Sequence, residues 1–337
     1  MIMLPEIIVL ITAFVVLTAD LFLKERGRVA LAPMAAIGLA IGLVAQVASV
    51  PLTGEMLGGR FVMDPVAWWF KIVFALTGFV TIVLSMDLLD GRTGCRMRGI
   101  GHRGEYYTIL LFTISGMMYL ISARDLISLY VSLELATVPL FALAAWRRED
   151  PKSGEAGLKY VILGALASAF ILYGMSFLYG ITGTTNLDAI GRALSAFAKG
   201  TPAWSSVGVW FAGVLMLSGV GFKLTLVPFH LWAAEVYEGA PAPVTAYLSV
   251  ASKAAGLAFM FQIFFHVFGS CLTHWTPLIA IFAAATMTLG NLVAIVQNNI
   301  KRFMAFSAIS QAGYFILGFL GPSEYGVPAM IFYMLVY

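Results

Sequence analysis

Charge is what this chain of 337 residues has least of: Asp, Glu, Lys and Arg together make up 11% of it. A soluble domain carries about a quarter, so these residues could not cover a water-facing surface. Cysteine is almost absent. Cys95 and Cys271 stand alone, expected near different membrane faces, and neither their number nor their spacing gives a disulfide framework or a metal cluster. Four scattered histidines and the lack of a nucleotide-binding loop exclude a soluble cofactor domain. Any redox chemistry is therefore left to partner subunits. A net charge of +3 gives no sign of nucleic acid, whereas the basic early loops suit lipid head groups or an acidic partner.

What the chain has is apolar sequence. Hydrophobic residues make up 61% of it, with a mean hydropathy of +0.92. Repeated apolar segments of helix-spanning length make it an all-α polytopic membrane protein. The first such segment is followed by many others and reads as a retained helix, not a cleaved signal peptide. Spans are expected from about Ile2 to Leu23, Val29 to Val50, Asp64 to Met86, Tyr106 to Ile121, Leu126 to Trp146 and Glu155 to Ile181. A short surface helix follows around Leu187 to Phe197. Further spans run from Val207 toward Trp232, from Pro241 and Pro243 onward, from Thr276 to Val296 and from Phe303 to Leu320. An eleventh opens near Val327 and is cut off at Tyr337, as expected of a truncated chain, a fragment or a split subunit.

Orientation follows from the basic residues. With the amino terminus outside, the inner loops hold Lys24, Arg26, Arg28, Arg92, Arg96, Arg98, Arg103, Arg147, Arg148, Lys152, Lys301 and Arg302. The outer regions hold only Arg60, Arg124, Arg192 and Lys199, as the positive-inside rule requires.

A few ionisable residues fall where lipid would not tolerate them. Counting from Pro243, ten residues at about 1.5 Å each put Lys253 roughly 15 Å into its helix, near the middle of a hydrocarbon layer about 30 Å thick. Glu134 lies about 14 Å into its own span by the same arithmetic. Such groups must face protein or water, and by default they mark an ion or proton path. Lys223 offers Glu134 an opposite charge; a static ion pair that fixes packing is the alternative. Pro228 removes a backbone donor and should break the helix between Leu224 and Pro228, a feature of ion sites in transporters. His230 could relay a proton or simply donate a hydrogen bond within a polar patch. Lys159 sits near an interface, where snorkelling competes with function. Lys71, beside Trp68 and Trp69, is expected to snorkel. Glu235 and Glu238 flank Tyr237, forming either a channel mouth or partner contact, or a solvated turn.

The segment GFKLTLVPFHLWAAEVYEGAPAPVTAYLSVASKAAGLA resembles the signature of the antiporter-like membrane subunits of respiratory NADH:quinone oxidoreductase, complex I. The blocks LYVSLELATVPLFALAA, GLKYVILGALASAF and NNIKRFMAFSAISQAGY resemble the same family. The likeness is nearest to the branch called subunit N in bacteria and its mitochondrial counterpart. It implies an antiporter-like bundle with a discontinuous seventh helix, about ten complete spans and the start of an eleventh. Residues 1–104 would form an amino-terminal three-helix region and loop, 105–270 a first five-helix unit, and 271–337 an incomplete second, inverted unit. It implies that Glu134 pairs with Lys223, that Lys253 sits at the centre of a hydrophilic axis with His230 between the lysines, and that Lys159 occupies a polar position. Glu235 stands where the family often has aspartate, and the second broken helix with its charged residue is missing.

The implied activity is proton translocation as part of a NADH:quinone-reducing translocase, with no redox chemistry in this chain. No cofactor is expected within it; NADH, FMN, iron–sulfur clusters and quinone belong to partner subunits. The expected partners are antiporter-like paralogues, small membrane subunits and lipids. The expected location is the bacterial inner membrane, amino terminus periplasmic, in preference to a mitochondrial or thylakoid one. The alternatives are a subunit of a multisubunit cation/proton antiporter or membrane-bound hydrogenase, in which sodium could replace a proton, or a structural spacer in assembly.

Overall fold

A computed structural model describes residues 2–24, 27–49, 53–90, 102–200 and 207–337. The chain is an all-α membrane protein of the multi-pass kind. Its helices are α1 (Leu4–Phe22), α2 (Leu31–Ala48), α3 (Pro65–Asp90), α4 (Arg103–Ser122), α5 (Leu126–Ala144), α6 (Pro151–Thr182) and α7 (Leu187–Gly200). They continue as α8 (Val207–Leu224), α9 (Ala233–Gly239), α10 (Ala242–Phe261), α11 (Leu272–Ile295), α12 (Ile300–Ile316) and α13 (Ser323–Val336). Among the described residues, eight helices are long and apolar enough to cross a membrane. Large apolar side chains such as Ile37, Val44, Leu158 and Leu292 point outward, a surface that lipid solvates and water would not.

The helix starts have local causes. Asp125 accepts from the backbone of Ile127 and Ser128 and caps α5. Asp150 caps α6 with Pro151 in its first turn, so this helix begins four residues before the expected Glu155. Asn299 caps α12 by accepting from Lys301 N at 2.9 Å. The surface helix expected from Leu187 is α7, strongly amphipathic and docked through its buried Leu187, Ile190 and Leu194.

α4 occupies the centre, packed by α1, α2, α3, α5 and α10, with most of its residues buried. Because protein surrounds it, it needs no lipid-facing apolar coat and can carry Tyr106, Tyr107, Thr108 and Thr113. Gly116 lets it meet α5 backbone to backbone: a Cβ there would lie 2.6 Å from the Ala136 nitrogen.

Two expectations are corrected. Lys71 does not snorkel. It is fully buried, with Nζ 2.5 Å from Glu6 Oε1 of α1, because α1 supplies a carboxylate at the same depth. Arg124, counted among the outer basic residues, is buried; it donates to Asp64 Oδ2 at 2.5 Å and Gln262 Oε1 at 2.8 Å. A β-hairpin, β1 (Gly54–Met56) against β2 (Phe61–Met63), stands where only a loop was expected. Arg26, Cys95 and the arginines at 92, 96 and 98 lie outside the described residues; Cys271 is buried.

Candidate functional site

The polar centre is built where α8 stops. α8 ends at Leu224, residues 225–232 leave helical geometry, and α9 resumes at Ala233. Thr225 has a φ of 60°, a left-handed backbone that a β-branched residue rarely adopts. The freed backbone groups find partners. Trp232 Nε1 donates to the Phe222 carbonyl at 3.0 Å, Leu226 N donates to Gly221 O at 2.7 Å, and Val227 N donates to Thr286 Oγ1 of α11 at 3.0 Å. Non-helical backbone at membrane depth survives only when satisfied in this way. The Trp232 ring closes the break by stacking on Tyr160 of α6, centroids 4.5 Å apart, and on Phe222.

Lys223 ends the apolar run of α8 with its amine buried. Nζ donates to Thr137 Oγ1 of α5 at 3.0 Å and lies 5.9 Å from the Phe141 ring centroid. The direct pairing with Glu134 is not made: no carboxylate lies within 4.0 Å of this amine among the described residues. Glu134 sits one turn before Thr137 on α5, half-buried, with Oε1 enclosed and without a hydrogen-bond partner. Its charge acts on Lys223 through space, while a neutral hydroxyl holds the amine. Thr137 takes the position because residues three apart share a helix face.

Lys253 is buried in α10 and repeats the arrangement. Nζ donates to the Tyr237 hydroxyl of α9 at 3.2 Å and lies over that ring. Its neighbour Ser252, also buried, lies within interaction range of Tyr160. Gly256, one turn beyond Lys253, packs against Leu224, the residue after Lys223, so the two lysines belong to one interhelical junction. His230 is buried near the backbone of Pro228, and its Nδ1 has no hydrogen-bond partner. It bonds to neither lysine.

Lys159 stands apart from these groups. It is about 39% exposed and ion-paired to Glu155, at 2.7 Å, and to Glu235. Glu238 joins a second cluster, accepting from Lys152 at 2.8 Å and Arg302 at 3.3 Å. The Lys152 hydrogen bond, with help from Arg302, holds the Glu238 carboxyl below the usual carboxylate range. Lys301 caps the same element, donating to Glu238 O at 3.1 Å and Ala240 O at 2.7 Å, where a cation complements the end of α9. Between them lies a cavity of about 170 Å³ lined by Lys152, Glu155, Glu235, Glu238 and Arg302. Glu235 and Glu238 therefore line a charged recess; they are not a bare turn.

The chemistry open to this arrangement is proton exchange. A hydroxyl accepts from an ammonium and donates to a neutral amine, so Thr137 and Tyr237 can hold either state of their lysine. A carboxylate in contact would favour only the charged one. Sequence reasoning missed Thr137, Tyr160, Trp232 and Ser252, and took Tyr237 only as a marker between two glutamates. The one available signal was spacing, since Thr137 follows Glu134 by three and Ser252 adjoins Lys253. Among the described residues no cluster of three or more His, Cys, Asp or Glu could hold a metal ion.

Comparison with known proteins places these observations in context. Residues 123–337 match the family model described as NADH:quinone oxidoreductase/Mrp antiporter, TM. The chain is 42% identical over 321 residues to NADH-quinone oxidoreductase subunit N of Moorella thermoacetica, covering 95% of this chain and 64% of that protein. It spans about two thirds of the length of such curated relatives. Its fold matches a chain of respiratory complex I from Thermus thermophilus, solved with bound aureothin, at a TM-score of 0.78 and 29% identity, covering 98% of this chain and 68% of that one. It also matches a chain of the Mrp complex from Dietzia sp. at a TM-score of 0.81 and 24% identity, covering 98% and 62%, a likeness of fold alone.

Proposed function

Because the chain belongs to the NADH:quinone oxidoreductase/Mrp antiporter family of transmembrane proteins, we propose that it is a proton-translocating, membrane-arm subunit of a bacterial NADH:quinone oxidoreductase. Residues 1–104 form its amino-terminal region, 105–270 its first antiporter-like unit with a discontinuous membrane helix running from Val207 toward Trp232 and interrupted after Leu224, and 271–337 part of a second unit. Ten spans and the opening of an eleventh follow when α4, α12 and α13 are counted as membrane helices. The amino terminus faces the periplasm of the inner membrane.

The observation that carries this reading is the pair of buried amines, Lys223 at the end of α8 and Lys253 within α10, each held by a neutral hydroxyl. Glu134 acts on the Lys223 amine through space, and His230 stands at the break as the relay between the lysines. Lys159, with Glu235, collects protons at the charged recess. Electron transfer occurs in partner subunits that hold NADH, FMN, iron–sulfur clusters and quinone. Its electrostatic effect reaches this chain because fields weaken little across a medium of low dielectric. Identity of 37–42% to curated subunit N proteins favours this reading over the cation/proton antiporter, for which the likeness is one of fold.

The test is proton pumping in membranes carrying Lys223→Ala or Lys253→Ala in the assembled complex. Loss of pumping with the complex intact supports the assignment. Normal pumping in a fully assembled complex would sink it.

A further inference from the structure

Glu6 of α1 and Lys71 of α3 lie outside the group of residues just described. Both are completely buried, with Lys71 Nζ 2.5 Å from Glu6 Oε1. The amine also lies 3.3 Å from Met63 Sδ and 4.7 Å from the centroid of the Phe61 ring. Neither neighbour is a strong acceptor, and among the described residues neither enclosed Glu6 oxygen meets hydrogen-bond geometry with any partner, Oε1 having only the ion-pair contact. A buried ion pair is stabilising only when further hydrogen bonds satisfy its remaining lone pairs and protons. This one is left under-satisfied, so a purely architectural role gains little from it.

Next to the pair is a cavity of about 250 Å³ whose wall includes Met3, Arg60, Phe61, Tyr119, Ser128 and Ser132. Arg60, Tyr119, Ser128 and Ser132 give it polar groups, and it has room for several waters. Phe61 and Tyr119 are the panel between cavity and pair. Their rings meet edge to face with centroids 6.2 Å apart, Phe61 lies over the amine, and Tyr119 is within electrostatic reach of Glu6. The other charged groups facing the pair are Asp64, at the head of α3 and acting on Lys71, and Arg124, which is bound to Asp64. The neutral Gln46 of α2 is bound to Trp68 of α3, donating to its carbonyl at 3.3 Å and accepting from its Nε1 at 2.9 Å.

We propose that Glu6 and Lys71 form a second proton-exchange site, separate from the lysines at the helix break, that communicates with water in the Arg60–Tyr119 cavity. Lys71 Nζ passes a proton to Glu6 Oε1 along their contact, leaving a neutral amine and a neutral acid. The acid gives that proton to cavity water by way of the Tyr119 hydroxyl, and the amine takes one back from water to restore the charged pair. No bond other than these N–H and O–H bonds changes.

The experiment is infrared difference spectroscopy on the purified membrane complex containing this chain, stepped in pH and between light and heavy water. A carboxylic-acid C=O band that appears and disappears with pH, and is lost in Glu6→Gln, is the expected result. The Glu6→Gln, Lys71→Met double variant leaves no lone buried charge and serves if the single variant fails to assemble. In Tyr119→Phe the same band should exchange more slowly. Lys253→Ala should leave it in place, which keeps this test independent of the pumping test. A spectrum identical in wild type and Glu6→Gln at every pH would overturn the proposal, as would unchanged exchange in Tyr119→Phe.

Discussion

Lys223 reaches across from α8 to donate to Thr137 on α5 at 3.0 Å, and among the described residues no carboxylate shares that contact. The amine that a buried acid would lock in one charge state is instead held by a group indifferent to charge. Thr137→Val should therefore lower proton pumping while leaving the complex assembled. The expected loss of stability is about 1 kcal/mol, the net worth of one hydrogen bond. Thr137→Ser, which keeps the hydroxyl, should restore pumping. Equal pumping in the valine and serine variants would remove Thr137 from the relay.

Tyr237 does the same for Lys253 from the short helix α9. Tyr237→Phe keeps the ring edge-on to Trp232 and removes only the hydroxyl. Leaving a buried donor unpaired costs about 1–3 kcal/mol, so the thermal midpoint in detergent should fall. The pH profile of pumping should also move, a change that a packing defect alone would not produce.

Glu238 predicts acid sensitivity. The Lys152 hydrogen bond, with Arg302, makes its carboxyl harder to protonate in the folded protein than in the unfolded chain. Its contribution is therefore fully present above the ordinary value of 4.5 and is lost as pH falls below it toward the lowered folded value. Thermal unfolding followed across that range should show a decline that Glu238→Gln lacks. Being partly solvated, the cluster gives a small effect that added salt reduces.

Gly116 tests the contact between α4 and α5. A Cβ would lie 2.6 Å from the Ala136 nitrogen, and backbone cannot yield as a side-chain tip can. Gly116→Val should destabilise by about 1–3 kcal/mol or more, the usual cost of overpacking. The level of folded protein in membranes would report it. Gly154→Ala, at a position open to space, should leave that level unchanged.

Arg124 anchors the end of α10 where its helix gives way to a π turn at Gln262. Arg124→Met would strand Asp64 and Gln262 without their shared donor. Hydrogen bonds to charged groups are worth about 1.5–3 kcal/mol, so a clear drop in thermal midpoint is expected. Retained stability with Arg124→Lys would show that charge alone suffices there.

Much of the fold was legible because lipid imposes a simple rule. Long apolar runs become helices, and the structure places helices on the expected segments, with edges displaced where a cap such as Asp150 or Asn299 was overlooked. The short helix expected around Leu187 is α7, and α8 ends at Leu224, four residues before Pro228. Depth arithmetic likewise singled out Lys253 and Glu134 as residues that lipid would reject.

Chain order alone, then, determined the solvent this protein lives in, the segments that become helical and the charges that have to turn inward. Tertiary packing decided what each charge meets. Lys71 finds Glu6 and Lys223 finds Thr137, across 65 and 86 residues of chain, because separate helices present them at matching depths. Arg124 is buried because α10 and the β-hairpin close over its turn. Periodicity records which face of a helix avoids lipid; it carries no information about which other helix will cover that face.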